Sequence, residues 1–136
     1  MDKGYIKAES IINNAKYELT KIFEKAESKG LESREAYILL ENLIERLESA
    51  EEKMKYLASP TKEGVLAEDS RTEKFYIAYD DEAESYNLSC GNTLEIFYDN
   101  EWHIGRVEAK DGKYYFYGED QPFLHVGMRA AKRVIG

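Results

Sequence analysis

The stretch Thr93–Gly118 reads TLEIFY (93–98), Asp99-Asn100-Glu101, WHIGRVEA (102–109), Lys110-Asp111-Gly112-Lys113 and YYFYG (114–118). Three runs rich in β-branched and aromatic residues are thus separated by two turn signals. Asp111-Gly112 is the stronger signal, because Gly accepts the positive φ of a type I′ turn. Asp99-Asn100 is the weaker one, since both residues tolerate left-handed backbone. The stretch predicts a three-stranded antiparallel meander.

Alternation of side chains assigns faces to these strands. Leu94, Ile96 and Tyr98 form the expected inner face of the first strand. Trp102 and Ile104 share a face of the second strand, and we place Trp102 in the core opposite Leu94 and Ile96. Val107 has the opposite parity to Trp102, so a β-bulge near Gly105 is predicted to turn it inward.

Further short strands are predicted on both sides of the meander. They comprise 64–68, 74–79 and, more weakly, 86–88, with Lys62-Glu63-Gly64 as a linker before them. Residues 128–135 could form a short terminal helix or a strand. We favour the strand, because it would close the sheet and remove an open edge.

The N-terminal part follows a helical period instead. Apolar residues recur every three or four positions within two segments, Tyr5–Ser28 and about 33–58. We call the apolar stripe of each segment its seam. The first seam is Ala8, Ile12, Ala15, Leu19, Ile22 and Ala26, and the second includes Tyr37, Leu40, Ile44, Leu47 and Met54. Gly30 is the expected C-cap of the first helix and Ser33 the N-cap of the second. The segments predict an antiparallel hairpin that lies on the sheet or self-associates through residues 5–57 into a four-helix bundle.

Composition bounds the class of protein. The 136 residues carry a net charge of −8, of which residues 61–136 contribute −6 (9 Lys and Arg against 15 Asp and Glu). Such an acidic surface disfavours binding to nucleic acid unless a basic patch overrides it. No apolar run is long enough to span a membrane. With one Cys and no secretory signal visible, we expect a cytoplasmic protein.

A family resemblance rests on several short motifs. These are Gly64-Val-Leu, Phe75-Tyr-Ile, Leu88-Ser-Cys-Gly-Asn, Leu94-Glu-Ile, Trp102-His-Ile-Gly-Arg-Val-Glu, Gly112-Lys-Tyr-Tyr-Phe and Gly127-Met-Arg-Ala. Residues 64–131 resemble a bacterial domain-of-unknown-function family, number 5348. The resemblance implies an SH3-like small β-barrel in short proteins often found near mobile elements, and it gives no activity or catalytic residue. The basic continuation after Met128 departs from the family's pattern.

Residues with reactive side chains do not form a known catalytic or metal-binding pattern. Cys90, His103 and His125 are the one nucleophile-and-base set, but nothing local brings them together, and we expect Cys90 to be a half-buried packing residue. Neither C-x-x-C nor H-x-x-x-H occurs. The acidic loop 80–85 lacks the spacing of an EF-hand. We therefore expect no enzymatic activity, metal or cofactor.

The predicted architecture is α+β. Residues 1–60 form the helical hairpin and residues 61–136 an SH3-like barrel of five or six antiparallel strands. The predicted function is a non-enzymatic adaptor that binds a protein or peptide and oligomerises through its helices. Aromatic side chains on neighbouring strands are either core or a partner surface; the surface candidates are Tyr76, Tyr115, Tyr117 and His103. The alternative is a nucleic-acid-associated accessory factor that uses a basic patch of Arg129, Lys132 and Arg133.

Overall fold

The computed structural model describes residues 2–134 and divides into two compact units, Met1–Ser59 and Pro60–Gly136. The first unit holds two helices and the second holds six strands. Their bounds are α1 Lys3–Lys25, α2 Gly30–Ala58, β1 Thr61–Glu68, β2 Phe75–Tyr79, β3 Thr93–Tyr98, β4 Glu101–Lys110, β5 Lys113–Tyr117 and β6 Arg129–Arg133. The α+β class and the order of helices before strands are as the sequence predicts.

The helix ends differ from the predicted caps. Asp2 caps α1, and its carboxylate accepts a hydrogen bond from the amide of Gly4 at 2.6 Å. Helix α1 ends at Lys25, so Gly30 is not its C-cap; Gly30, with φ of 80°, is instead the first residue of α2. Ser33 is not an N-cap, because its hydroxyl donates to the carbonyl of Lys29, one turn earlier.

The two helices run antiparallel, as predicted. Near the start of α2 the rings of Phe23 and Tyr37 stack at 4.5 Å, and further along it Lys16 Nζ lies 3.0 Å from Glu51 Oε1. The predicted seam of α1 is half-buried from Ala8 to Leu19. After Leu19 the half-buried residue is Phe23 and not Ile22, which is 60% exposed. The last predicted seam residue, Ala26, lies beyond the helix. Within Lys3–Lys25 and Gly30–Ala58 no residue is buried.

The six strands form one antiparallel sheet in the order β2-β1-β6-β3-β4-β5. The predicted strand near residue 128 is confirmed as β6, although Ile135 of the predicted segment lies outside the described residues. β6 pairs with β1 and with β3, so it joins the two halves in the middle of the sheet. β1 begins at Thr61, where the sequence predicts a linker, and the weak strand at 86–88 is not formed.

Strands β2 and β5 stand at the two ends of the strand order. The sheet nevertheless curls enough for Phe75 of β2 to meet Tyr114 of β5, with ring centroids 6.3 Å apart and planes at 83°. The enclosed side chains form a single core of Leu66, Ile77, Leu88, Leu94, Ile96, Val107, Phe116, Leu124, Met128 and Ala130. We call the face of the sheet that carries this core the inner face.

Gly105 occupies a position on the inner face that no side chain could fill. A Cβ there would lie 2.4 Å from the Tyr117 carbonyl oxygen and 2.6 Å from Cζ of Phe116. Because Gly105 and Val107 have the same parity, Val107 faces the core without a bulge. The β3–β4 ladder is continuous from Thr93–Arg106 to Tyr98–Glu101, so the predicted bulge near Gly105 is wrong.

Candidate protein-binding surface

The turn at Asp99-Asn100 places Trp102 on the surface. Both turn residues have positive φ, 53° and 65°, as a two-residue type I′ turn requires. Such a turn pairs Tyr98 with Glu101 and therefore Phe97 with Trp102. Since Leu94 and Ile96 have the opposite parity to Phe97, Trp102 lies on the face away from them and is 40% exposed. The prediction that Trp102 belongs to the core is wrong.

Trp102 belongs to a set of exposed rings on strands β3, β4 and β5. Phe97 meets it edge-to-face at 5.6 Å, and the Arg106 guanidinium lies 4.4 Å above the ring of Tyr117. Phe97 and Tyr117 are 41% and 42% exposed. We call Phe97, Trp102, Ile104, Arg106 and Tyr117 the outer aromatic face. It combines large apolar area with an arginine, which is the composition of energetically important protein contacts.

The predicted partner residues are only partly brought together. Tyr115 and Tyr117 lie on the outer side of β5, opposite Glu108 and Arg106 of β4. Tyr76 is on β2, at the other end of the strand order. His103 faces the inner side, where Nε2 is 2.9 Å from the carbonyl oxygen of Tyr98 and the side chain is 11% exposed. Of the four, Tyr117 therefore belongs to the outer aromatic face and Tyr115 lies beside it on the same side of β5.

The three predicted basic-patch residues do not share one face of β6. Arg129 and Arg133 point to the outer side, and Lys132 lies between them on the inner side, as strand alternation requires. Arg129 makes two hydrogen bonds to the Asp80 carboxylate, at 2.9 and 2.7 Å. Arg133 makes two to Glu95, at 2.8 and 2.9 Å. Each guanidinium therefore has a carboxylate beside it.

The ion pair between Glu95 and Arg133 could not be predicted from the alternation of side chains along the strands. Glu95 has the outward parity of Phe97 yet is 7% exposed. A carboxylate removed this far from water requires a cation and hydrogen bonds, and the planar fork of Arg133 supplies both. The sequence signal is faint: a Glu between two core residues of a central strand, and an arginine on a strand that could pair with it.

Asp80 is a second carboxylate that is paired with an arginine of β6. The hydrogen bonds from Arg129 lower the pKa of the Asp80 carboxyl, and the adjacent positive charge adds to this. Asp80 in turn raises the pKa of Arg129. Asp81 lies 3.5 Å from Lys62. The acidic loop that begins at Asp80 thus contributes two of its carboxylates to ion pairs.

The reactive side chains remain scattered. Cys90 is exposed in the turn before β3, so its predicted half-buried packing role is wrong. Between residues 2 and 134 no cluster of three or more His, Cys, Asp and Glu side chains could hold a metal ion. In the same part of the chain, neither helix is long and apolar enough to cross a membrane.

The helical unit has an apolar surface of its own, made of residues beside the seam. Ile11 precedes the seam residue Ile12, and Ile22 precedes Phe23. On α2, Leu39 and Leu43 precede Leu40 and Ile44; the four residues are 60%, 60%, 70% and 45% exposed. Because the helices are antiparallel, the same offset on each places all four residues on one side of the hairpin. We call Ile11, Ile22, Leu39 and Leu43 the hairpin flank.

Comparison with known proteins finds a family that matches the sheet unit, but it assigns no activity. No curated protein matches the chain. A crystal structure of a protein from Ruminococcus gnavus is 30% identical, over 53% of this chain and 99% of that one, with a TM-score of 0.39. Residues 64–132 match the model of a family described as a domain of unknown function, DUF5348. The match runs from Gly64 in β1 to Lys132 in β6 and includes the outer aromatic face, and the chain belongs to this family.

Proposed function

We propose that the protein is a non-enzymatic adaptor that binds a protein or peptide through the outer aromatic face and self-associates through the hairpin flank. The observation that carries the binding role is the exposure of Phe97, Trp102 and Tyr117 on three consecutive strands. Scattered exposed apolar residues are common, but here two exposed rings contact each other and a third contacts an arginine on the same side of neighbouring strands. Such residues are typical of recognition surfaces.

The fold supports this role by holding the rings on a rigid support. Phe97 and Trp102 lie on strands joined by a two-residue turn, and the inner sides of both strands contribute to the core. A surface that is already ordered loses little conformational entropy on binding. We further propose that the curled sheet is an SH3-like small barrel whose end strands approach at the Phe75–Tyr114 ring pair.

Self-association is supported by the solvent exposure of the hairpin flank. The flank residues are exposed Ile and Leu, and the antiparallel pair leaves every residue of both helices at least partly accessible. Packing two flanks together would create the core of a four-helix bundle. The two surfaces would then have separate roles, with the helices joining two copies and each sheet binding a partner.

Affinity capture from lysate with matched baits tests the binding role. The full-length chain is expected to retain a partner that Trp102→Ala loses, because the substitution removes the β4 ring of the face and its contact with Phe97. Tyr86→Ala is the control: Tyr86 is 79% exposed and lies in the loop between β2 and β3, so its bait should keep the same partner. Equal capture by all three baits would contradict the proposed surface.

A further inference from the structure

A small cleft lies where the two end strands of the sheet approach each other. Its volume is about 210 Å³. Three aromatic residues line it, Phe75, Tyr114 and Phe123, together with the acidic residues Glu68 and Glu73. Pockets for drug-sized ligands measure roughly 300–1,000 Å³, so this cleft has the size for a single side chain. Phe75 and Tyr114 have the inner parity, whereas Phe123 is bridged to Tyr115 on the outer side of β5. None of the three belongs to the outer aromatic face.

Backbone hydrogen bonds hold the segment that carries Phe123 against β5. The amide of Leu124 donates to the Tyr114 carbonyl at 3.0 Å, and the amide of Phe116 donates to the Pro122 carbonyl at 2.8 Å. The segment thus forms an isolated bridge between Phe123 and Tyr115 along β5. Phe123 is still 56% exposed. Phe123, with its backbone held beside β5, forms one side of the cleft.

The acidic side of the cleft is built by the loop between β1 and β2. The Asp69 amide donates to the Lys74 carbonyl, and the Glu73 amide donates to the Asp69 carbonyl, both at 2.8 Å. Glu73 adopts a positive φ of 61° in this closed loop. Glu68 is the last residue of β1 and also lines the cleft. Two carboxylates therefore accompany the three rings.

One cation of the chain already uses this wall. Lys113 also lines the cleft, and its Nζ lies 5.7 Å from the centroid of the Phe123 ring. That distance is within the range of about 6 Å in which an ammonium is attracted to a ring face. The electrostatics of the cleft thus suit an ammonium group, and the surplus of acid over residues 61–136 acts in the same direction.

We infer that the cleft binds the ammonium group of a lysine side chain presented by a partner protein. The aromatic rings supply the π faces that attract a cation, as in the aromatic cages that recognise methylated lysine. Glu68 and Glu73 supply the countercharge. Lys113 occupies the Phe123 face when no ligand is bound and must move aside on binding. The inference adds a second binding site to the proposed module, and it does not depend on the outer aromatic face.

The test titrates the full-length protein with Nα-acetyl-lysine methylamide and follows the backbone amide resonances by NMR. The amides of Phe75, Tyr114 and Phe123 are expected to shift saturably. The norleucine analogue, which has the same chain without the charge, is expected to leave them unchanged at equal ionic strength. Equal shifts with both probes, or shifts confined to other regions, would overturn the inference.

Matched variants test the two parts of the mechanism. Glu73→Gln should weaken lysine binding about threefold, the size of one exposed cation–aromatic or charge contact. Glu82→Gln is its control, because Glu82 is also an exposed loop residue with φ of 61°. Phe123→Leu should weaken binding by a similar factor while keeping an apolar side chain. An unchanged affinity in both Glu73→Gln and Phe123→Leu would exclude the cleft.

Lys113→Gln should have the opposite effect and tighten lysine binding about threefold, because the competing ammonium is removed. Lys110 is opposite Lys113 across the Asp111-Gly112 turn, so Lys110→Gln removes the same charge nearby. Equal tightening by both variants would show a general charge effect and refute competition at Phe123. Trp102→Ala should leave lysine binding unchanged, which separates failure of this site from failure of the outer aromatic face.

Discussion

The sheet buries Phe116, Leu66 and Ile77 completely, whereas Ile12, Leu19 and Phe23 on the hairpin seam all keep some contact with water. The difference follows from geometry. A curled sheet encloses the side chains of its inner face, but two helices in contact can cover only one narrow stripe of each other. The sheet unit therefore has its own core, and the hairpin acquires one only when a further surface covers its flank.

The largest expected effect is the contrast between two phenylalanines. Phe116→Ala, at a fully buried site, should lower the free energy of unfolding of the sheet by about 3–5 kcal/mol. Phe23→Ala should cost the hairpin about 1–2 kcal/mol, because the ring is half exposed and mainly stacks on Tyr37. Urea unfolding followed by Trp102 fluorescence reports the sheet, and far-ultraviolet circular dichroism reports the helices. Equal costs in the two units would contradict the contrast.

A smaller effect is expected at Gly105, where the sheet packs most tightly. Gly105→Ala should destabilise the sheet by about 3 kcal/mol, the upper end for overpacked sites, because the new Cβ would meet a backbone oxygen as well as the Phe116 ring. Gly112→Asn is the control, since that turn site has open space and Asn accepts its positive φ of 76°. A tolerated Gly105→Ala would show that β4 and β5 are looser than described.

The sequence predicted some parts of this fold better than others. Turn chemistry predicted the β-hairpins, the helical period predicted the helical hairpin, and the need to cover an open sheet edge predicted the strand at β6. The face of Trp102 could also have been predicted. A two-residue turn at Asp99-Asn100 fixes Trp102 opposite Phe97. The prediction placed Trp102 opposite Leu94 and Ile96 instead, because aromatic residues at alternate strand positions usually pack in a core. Counting the register outward from the turn gives the observed face of Trp102, whereas a general packing rule for aromatic residues does not.

Other features could not be predicted from alternation. The pairings of β6 bring Glu95 beside Arg133 and Asp80 beside Arg129, over 38 and 49 residues of sequence. Local patterns contain no information on which distant strands become neighbours. The basic patch expected at the C-terminal end therefore consists, in the fold, of two ion pairs on one face and Lys132 on the other.

The smallest expected effect is on how the stability of the protein changes with pH at Asp80. The pKa of Asp80 is lowered in the fold by Arg129. The ionised carboxylate thus adds stability above its ordinary pKa of 3.8, and this contribution is lost as the pH falls through the lower folded value. Asp80→Asn should be slightly less stable at neutral pH and lose less stability on acidification. Thermal unfolding from pH 7 to pH 2 tests this, with Asp120→Asn, in the loop after β5, as control. An identical pH profile for wild type and Asp80→Asn would contradict the pairing.

The mass of the full-length protein in solution tests the proposal that a second copy of the chain covers the hairpin flank. Light scattering over a range of concentrations should give twice the mass of one chain, and Leu39→Lys should reduce it to one. Ile38→Lys is the matched control, because Ile38 is 52% exposed and points away from the flank. A stable wild-type monomer with full helix content at every concentration would contradict the claim.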